Sequence, residues 1–188
     1  MINASLVDIA IECGASRAEH IEPSRLVTSA VFRSYCEDNV CGFYGKCWSC
    51  PPDIGDIEAL QAELRRYEHI LLYQQISQVK DYSDAESMDA AGASFSDLSQ
   101  GLHVRLRELF AKPFLHLGGS CRLCPECTKL VDEPCRYPEK MIPSLSAYGV
   151  DVCKSCEGSS LQYSGGAQEA RRLQGQTRRV GRTGDTQL

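Results

Sequence analysis

Four thiols stand within fifteen residues at Cys121, Cys124, Cys127 and Cys135, spaced C-x2-C-x2-C-x7-C. Three cysteines at intervals of three make one compact turn of thiolates. Such a turn can ligate three irons of a cubane, and a fourth cysteine closes the site from further along, as in ferredoxins. Zinc sites usually read as two separated C-x2-C knuckles. The spacing therefore favours a [4Fe–4S] cluster, with zinc as the alternative. Free cysteine also buries well as a small apolar residue. Four of them beside Pro125, Glu126 and Arg122 are not core composition.

A second group lies upstream: Cys36, Cys41, Cys47 and Cys50, spaced C-x4-C-x5-C-x2-C and followed by Pro51. A Cys-Pro ending is common in bacterial ferredoxins. Gly42 and Gly45 let the backbone fold closely around a bound group. A structural zinc site with four cysteines is the alternative here too.

Two stretches resemble the hallmarks of the DUF2284 family. One is Cys41-Gly-Phe-Tyr-Gly-Lys-Cys-Trp-Ser-Cys-Pro-Pro. The other is Leu117-Gly-Gly-Ser-Cys-Arg-Leu-Cys-Pro-Glu-Cys-Thr, then Glu133-Pro-Cys-Arg-Tyr-Pro-Glu-Lys, then Pro143-Ser-Leu-Ser-Ala-Tyr-Gly-Val-Asp-Val. The resemblance covers about residues 1–152 and implies a cysteine-rich, iron–sulfur metal-binding protein. The chain departs from the family pattern at Ser146, where an acidic residue is usual, and the family's apolar ending is not recognisable after about Gly158.

The elements that must position these thiols follow from periodicity. Leu6, Ile9, Ala10 and Cys13 share one face of a short helix that Gly14 ends, which makes Cys13 a core residue. Residues 25–34 have strand composition and deliver the chain to Cys36. Asp53 or Asp56 caps a helix with Ile57, Leu60, Leu64 and Tyr67 on its buried stripe. Residues 69–79 predict the strongest strand, central in its sheet. Residues 80–97 read as a loop entering a helix over 98–110 that Pro113 ends. Residues 114–119 predict a short strand feeding Cys121. This alternation predicts an α/β or α+β fold, a small mixed sheet with flanking helices and two cysteine-rich metal loops.

Around the second group, Arg136, Lys140, Thr128 and Tyr137 are candidate donors to a cluster or simply surface and packing residues. Trp48 is either a shield against water or a core aromatic. Cys153 and Cys156 form a further C-x2-C pair, read as free thiols on a helix, with a redox or auxiliary metal role as the alternative. Of the four scattered histidines, His116 is the best candidate to stand near a cluster, although it alternates with Leu115 and Leu117 as a core residue would. No His-Glu-x-x-His, G-x-S-x-G, Walker A or dinucleotide pattern occurs.

Length and composition bound the rest. A chain of 188 residues with 43% hydrophobic content suits one cysteine-rich domain over 1–163. From residue 164 Gly, Gln, Arg and Thr dominate, predicting a disordered tail over 164–188. From Glu169 onward five arginines face two acids, a net +3, so the first 168 residues carry −8 of the total −5. An acidic body argues against nucleic acid as the partner. No signal peptide or apolar run of membrane-spanning length is visible. A cytoplasmic, reducing compartment follows, where eleven cysteines suit metal better than disulfides.

The chemistry expected is one-electron transfer through two [4Fe–4S] clusters, one per cysteine group, to a partner oxidoreductase in an anaerobic host. Two alternatives remain at this point. One is an iron–sulfur enzyme with an open iron, which requires Cys36 or Cys135 not to be a ligand. The other is a structural zinc protein that binds another protein.

Overall fold

The computed structural model describes residues 2–39, 41–81, 83–110, 114–161 and 163. The expected disordered tail over 164–188, and Pro113 as a helix stop, lie outside the described residues.

The chain opens with helix α1 (Ile2–Glu12), which ends at Gly14 with φ +103°. Strand β1 (Arg17–Ile21) follows, then a single 3-10 turn over Pro23–Arg25 and helix α2 (Val31–Glu37). Helix α3 (Ile57–Leu64) starts at Asp56, whose carboxylate accepts from the amides of Glu58 at 2.9 Å and Ala59 at 3.1 Å. Of the two expected caps, Asp56 is thus the one used. Strand β2 (Ile70–Gln74) then pairs antiparallel with β1, from Arg17 opposite Gln74 to Ile21 opposite Ile70. Helix α4 (Ala85–Leu109) is the longest element, and short α5 (Val152–Ser155) closes the described chain. The architecture is mixed α and β, with a small two-stranded sheet and several helices.

Three sequence expectations about elements are corrected. Residues 25–34 are not a strand. Thr28 makes one isolated bridge to Val150, and the chain then coils into α2, with Cys36 inside the helix. Strand propensity needs a partner surface, and local bonds compete: Ser29 Oγ accepts from the Val31 amide at 3.3 Å and Ser34 Oγ donates to the Val31 carbonyl at 2.7 Å. Residues 114–119 likewise form only one parallel bridge, Gly118 to Ser144. The strand expected to be central has a single neighbour, β1. In addition, α4 begins well before Leu98. Ala85, Ala90, Ala91 and Ala93 favour helix without marking an apolar stripe, so periodicity alone misses them.

Two apolar clusters hold the fold. In the first, Ala10 of α1 and Leu98, Leu102 and Leu106 of α4 enclose Ala15, and Cys13 packs against them as expected. In the second, Leu60 of α3 packs with Ala147, Tyr148 and Val150. That packing fixes the 144–150 segment, which in turn anchors the cysteine loops. Gly149 is essential to it: its φ is +68°, and a Cβ there would stand 2.5 Å from the Ser29 carbonyl.

Candidate metal centre

The loop after Leu117 is tied down at both faces. The Gly118 amide donates to the Pro143 carbonyl at 2.8 Å, and the Leu145 amide donates to the Gly118 carbonyl at 2.9 Å. The Ser144 amide donates to the Ser49 carbonyl at 3.0 Å, which brings the upstream cysteine loop onto the same anchor. The two cysteine groups are therefore adjacent in space, although more than seventy residues separate Cys50 from Cys121 in sequence.

Ser49 is the hub of the contact. It is fully buried, and its Oγ lies 3.1 Å from Cys47 Sγ and 3.7 Å from Cys50 Sγ. The same oxygen accepts from the Cys121 amide at 3.2 Å. Hydrogen bonds from Cys121, then Cys50, with Ser49, draw the Cys47 thiol down, while their bonds to Cys47, followed by burial, push Cys50 and Cys121 up. The three thiols thus act as one set, in which one thiolate is shared by two thiol donors. Sequence reasoning missed Ser49, whose only local signal is a small polar residue between Trp48 and Cys50.

A narrow, partly open cleft with an internal volume of about 20 Å³ runs along this seam. All four downstream thiols, Cys121, Cys124, Cys127 and Cys135, line it, and Cys47 joins them from the upstream loop. Cys50 reaches the cleft's edge through Cys47 and Ser49. Cys36 and Cys41 do not line it. They lie near each other, and Cys41 acts electrostatically on both Cys36 and Cys50. Burial, then the neighbouring Cys41, pushes the Cys36 thiol up. Among the described residues, no group of three or more His, Cys, Asp or Glu side chains is arranged to hold a metal ion.

Several neighbours close the cleft. Trp48 lines it and donates from Nε1 to the Glu133 carbonyl at 3.1 Å, and Lys129 Nζ stands 4.8 Å from its ring. Lys129 also pairs with Asp53 at 2.9 Å and Asp132 at 2.8 Å, linking the upstream and downstream loops. Thr128 is buried and donates to the Pro134 carbonyl at 3.0 Å, bracing the span from Cys127 to Cys135. Arg136 and Tyr137 both line the cleft, with Arg136 donating to the Glu126 carbonyl at 3.2 Å. Lys140 instead lies over the Tyr137 ring, at 5.7 Å.

The remaining candidates fall elsewhere. His116 does not line the cleft. It is buried against α4, with Nε2 2.8 Å from Tyr73 Oη and its ring stacked on His103 at 5.5 Å. Burial, followed by the neighbouring His103, pushes its pKa down to about 4. Cys153 and Cys156 sit on and just after α5, and burial pushes both thiols up, which does not activate them. No disulfide joins any two of the eleven cysteines.

A family model described as "Predicted metal-binding protein (DUF2284)" matches residues 19–180. The match starts later than the expected resemblance over about 1–152 and runs past Gly158, to residue 180. No curated protein and no solved structure matches the chain. Among the described residues no helix is long and apolar enough to cross a membrane.

Proposed function

The chain belongs to the DUF2284 family of predicted metal-binding proteins, and from that premise we propose that it carries two [4Fe–4S] clusters and passes single electrons to a partner oxidoreductase. The observation that carries this reading is the cleft in which all four downstream thiols and Cys47 are gathered. A single zinc ion draws four donors onto one point at about 2.3 Å each. A cubane takes each thiolate at a different iron, so its four ligand sulfurs surround the cluster from separate directions instead of meeting at one point. Four downstream cysteines around one cleft, with Cys47 beside them, suit that demand.

In this reading Cys121, Cys124, Cys127 and Cys135 hold one cluster, and Cys36, Cys41, Cys47 and Cys50 hold the other. Each cluster supplies a one-electron couple when bound. The protein's residues set its surroundings. Trp48, Leu123, Tyr137 and Met141 wall the cleft and exclude water, while Arg136 stands as a nearby donor. The interaction between the Cys47 and Cys121 side chains supports two adjacent ligand sets, between which electrons would pass. Leu130, Val131 and Tyr137 are exposed at 55%, 67% and 41% beside the cleft, where a partner protein would approach. A reducing, cytoplasmic setting and an anaerobic host fit centres of this kind.

The test is a reductive titration of protein purified without oxygen, followed by visible and electron paramagnetic resonance spectra. A broad band near 400 nm should bleach with dithionite while a reduced-cluster resonance appears. Colourless protein with stoichiometric zinc would replace this reading with the structural zinc one.

A further inference from the structure

A second concavity meets the cysteine cleft at Cys121, the residue common to both. It is a small, open pocket of about 110 Å³ between one face of α4 and the Gly118–Arg122 loop, with Ile142 at one wall. No carboxylate lines it, whereas hydrogen-bond donors do. α4 contributes the Ser96 hydroxyl, along with Ser99 and Gln100, which already donate to the Phe95 and Lys140 carbonyls. From the loop come the amides of Gly119 and Ser120, which meet no backbone acceptor among the described residues. The loop also supplies the one cation, Arg122.

Two glycines build this arrangement. Gly92 stands inside α4, where glycine costs about 1 kcal/mol relative to alanine. A Cβ there would lie 3.1 Å from Arg122 Nη2, so the bare backbone is what seats the guanidinium against the helix. Gly118 lets the loop close onto the opposite wall, since a Cβ there would lie 3.1 Å from Ile142 Cγ2. Arg122 is oriented by one bond, Nη1 to Asp89 Oδ1 at 2.8 Å, and Asp89 itself is largely exposed. The planar guanidinium keeps further N–H groups for a second oxyanion. Below, Ser99 is buried and firmly held: its Oγ donates to the Phe95 carbonyl at 2.8 Å and lies 2.9 Å from Tyr73 Oη.

We propose that this pocket binds a small organic carboxylate, its oxygens on Arg122 and the Gly119–Ser120 amides and its body between Phe95 and Ile142, beside Cys121. The flat fork of an arginine matches a carboxylate bidentately. The apolar walls favour an organic body over a bare inorganic anion. The site is built from groups outside the cysteine ligand set, so it does not rest on which metal the protein holds.

Calorimetric titration of the full chain, purified without oxygen, tests this with propionate and lactate as probes and inorganic phosphate as the comparison. The wild-type protein should bind at least one carboxylate in the millimolar range or tighter. Arg122→Gln should weaken that binding by about tenfold or more, the loss of a charge-assisted bond. Asp89→Asn releases Arg122 from its partner and should tighten binding a few-fold. Iron and sulfide content should be unchanged in both variants, which separates this site from the metal centre. Absence of carboxylate binding to the wild type, equal binding by Arg122→Gln, or tighter binding of phosphate would each overturn the proposal.

Discussion

The downstream cysteines, Cys121 to Cys135, all face one cleft, while the upstream four are divided between two places. Cys47 and Cys50 are buried at the seam, but Cys36 lies within α2 and Cys41 is exposed. The backbone explains part of the difference. The upstream loop turns through three left-handed positions, Asn39, Gly42 and Gly45, with φ of +51°, +78° and +66°. The downstream span has one, Asp132 at +53°, and closes through Thr128 and Pro134. The upstream segment thus does two jobs. It walls the downstream cleft with Cys47, Trp48 and Ser49, and it carries a more open pair of thiols of its own.

Removing metal should expose this division most strongly. The binding energy of a structural metal appears as folding energy, about 10 kcal/mol or more in small metal domains. Chelation under anaerobic conditions should raise amide exchange across 47–50 and 121–135, with far less change in the α4 core around Leu102. Uniform exchange through the whole chain would remove the distinction.

Single cysteine variants sharpen it further. Cys47→Ser should lower metal in both groups, because this thiol touches Cys50 and Cys121 at once. Cys36→Ser should remove at most about half of the iron, since in the proposed assignment it serves the upstream cluster alone. Equal losses from the two variants would mean that the groups are not distinct.

A pH series separates the α4 side from the cysteine side. His116 has its pKa depressed to about 4 in the fold, by burial and then by His103. Above pH 6.5 it is neutral folded or unfolded and contributes nothing to pH dependence. As pH falls from 6.5 towards 4 the unfolded chain takes the proton first, so stability falls, by roughly 3 kcal/mol once below both values. Denaturant midpoints should show a shallower slope in His116→Phe than in the wild type, what remains coming in part from His103, whose pKa burial also lowers.

Ser49→Ala gives the smallest of these effects. It leaves the buried Cys121 amide without its acceptor, which costs about 1–3 kcal/mol. The loss should appear in the thermal midpoint, and metal content should fall in the downstream group as well as the upstream one. A change confined to the upstream group would mean that the seam does not couple them.

Much of this was legible in the chain, for identifiable reasons. The helix over Leu6–Cys13, the cap at Asp56 and the apolar stripe of α4 follow from local periodicity and capping, which a sequence displays directly. The cysteine groups were visible as spacing. What was not legible depends on distant partners. Residues 25–34 and 114–119 have strand-like composition but find one bridge each, so they never become strands. The meeting of Cys47 with Cys121 rests on Ser49 and Ser144, whose bond spans ninety-five residues and leaves no local pattern. For His116 the alternation with Leu115 and Leu117 is the better guide: it is a buried histidine bonded to Tyr73, away from the cysteine cleft.

The central claim is that two adjacent cysteine groups hold two iron–sulfur clusters. Its most direct test is the count of iron, acid-labile sulfide and zinc per chain, on protein purified without oxygen. The account predicts about eight irons and about eight sulfides, with no stoichiometric zinc. Zinc without sulfide would contradict it and make both cysteine loops structural staples.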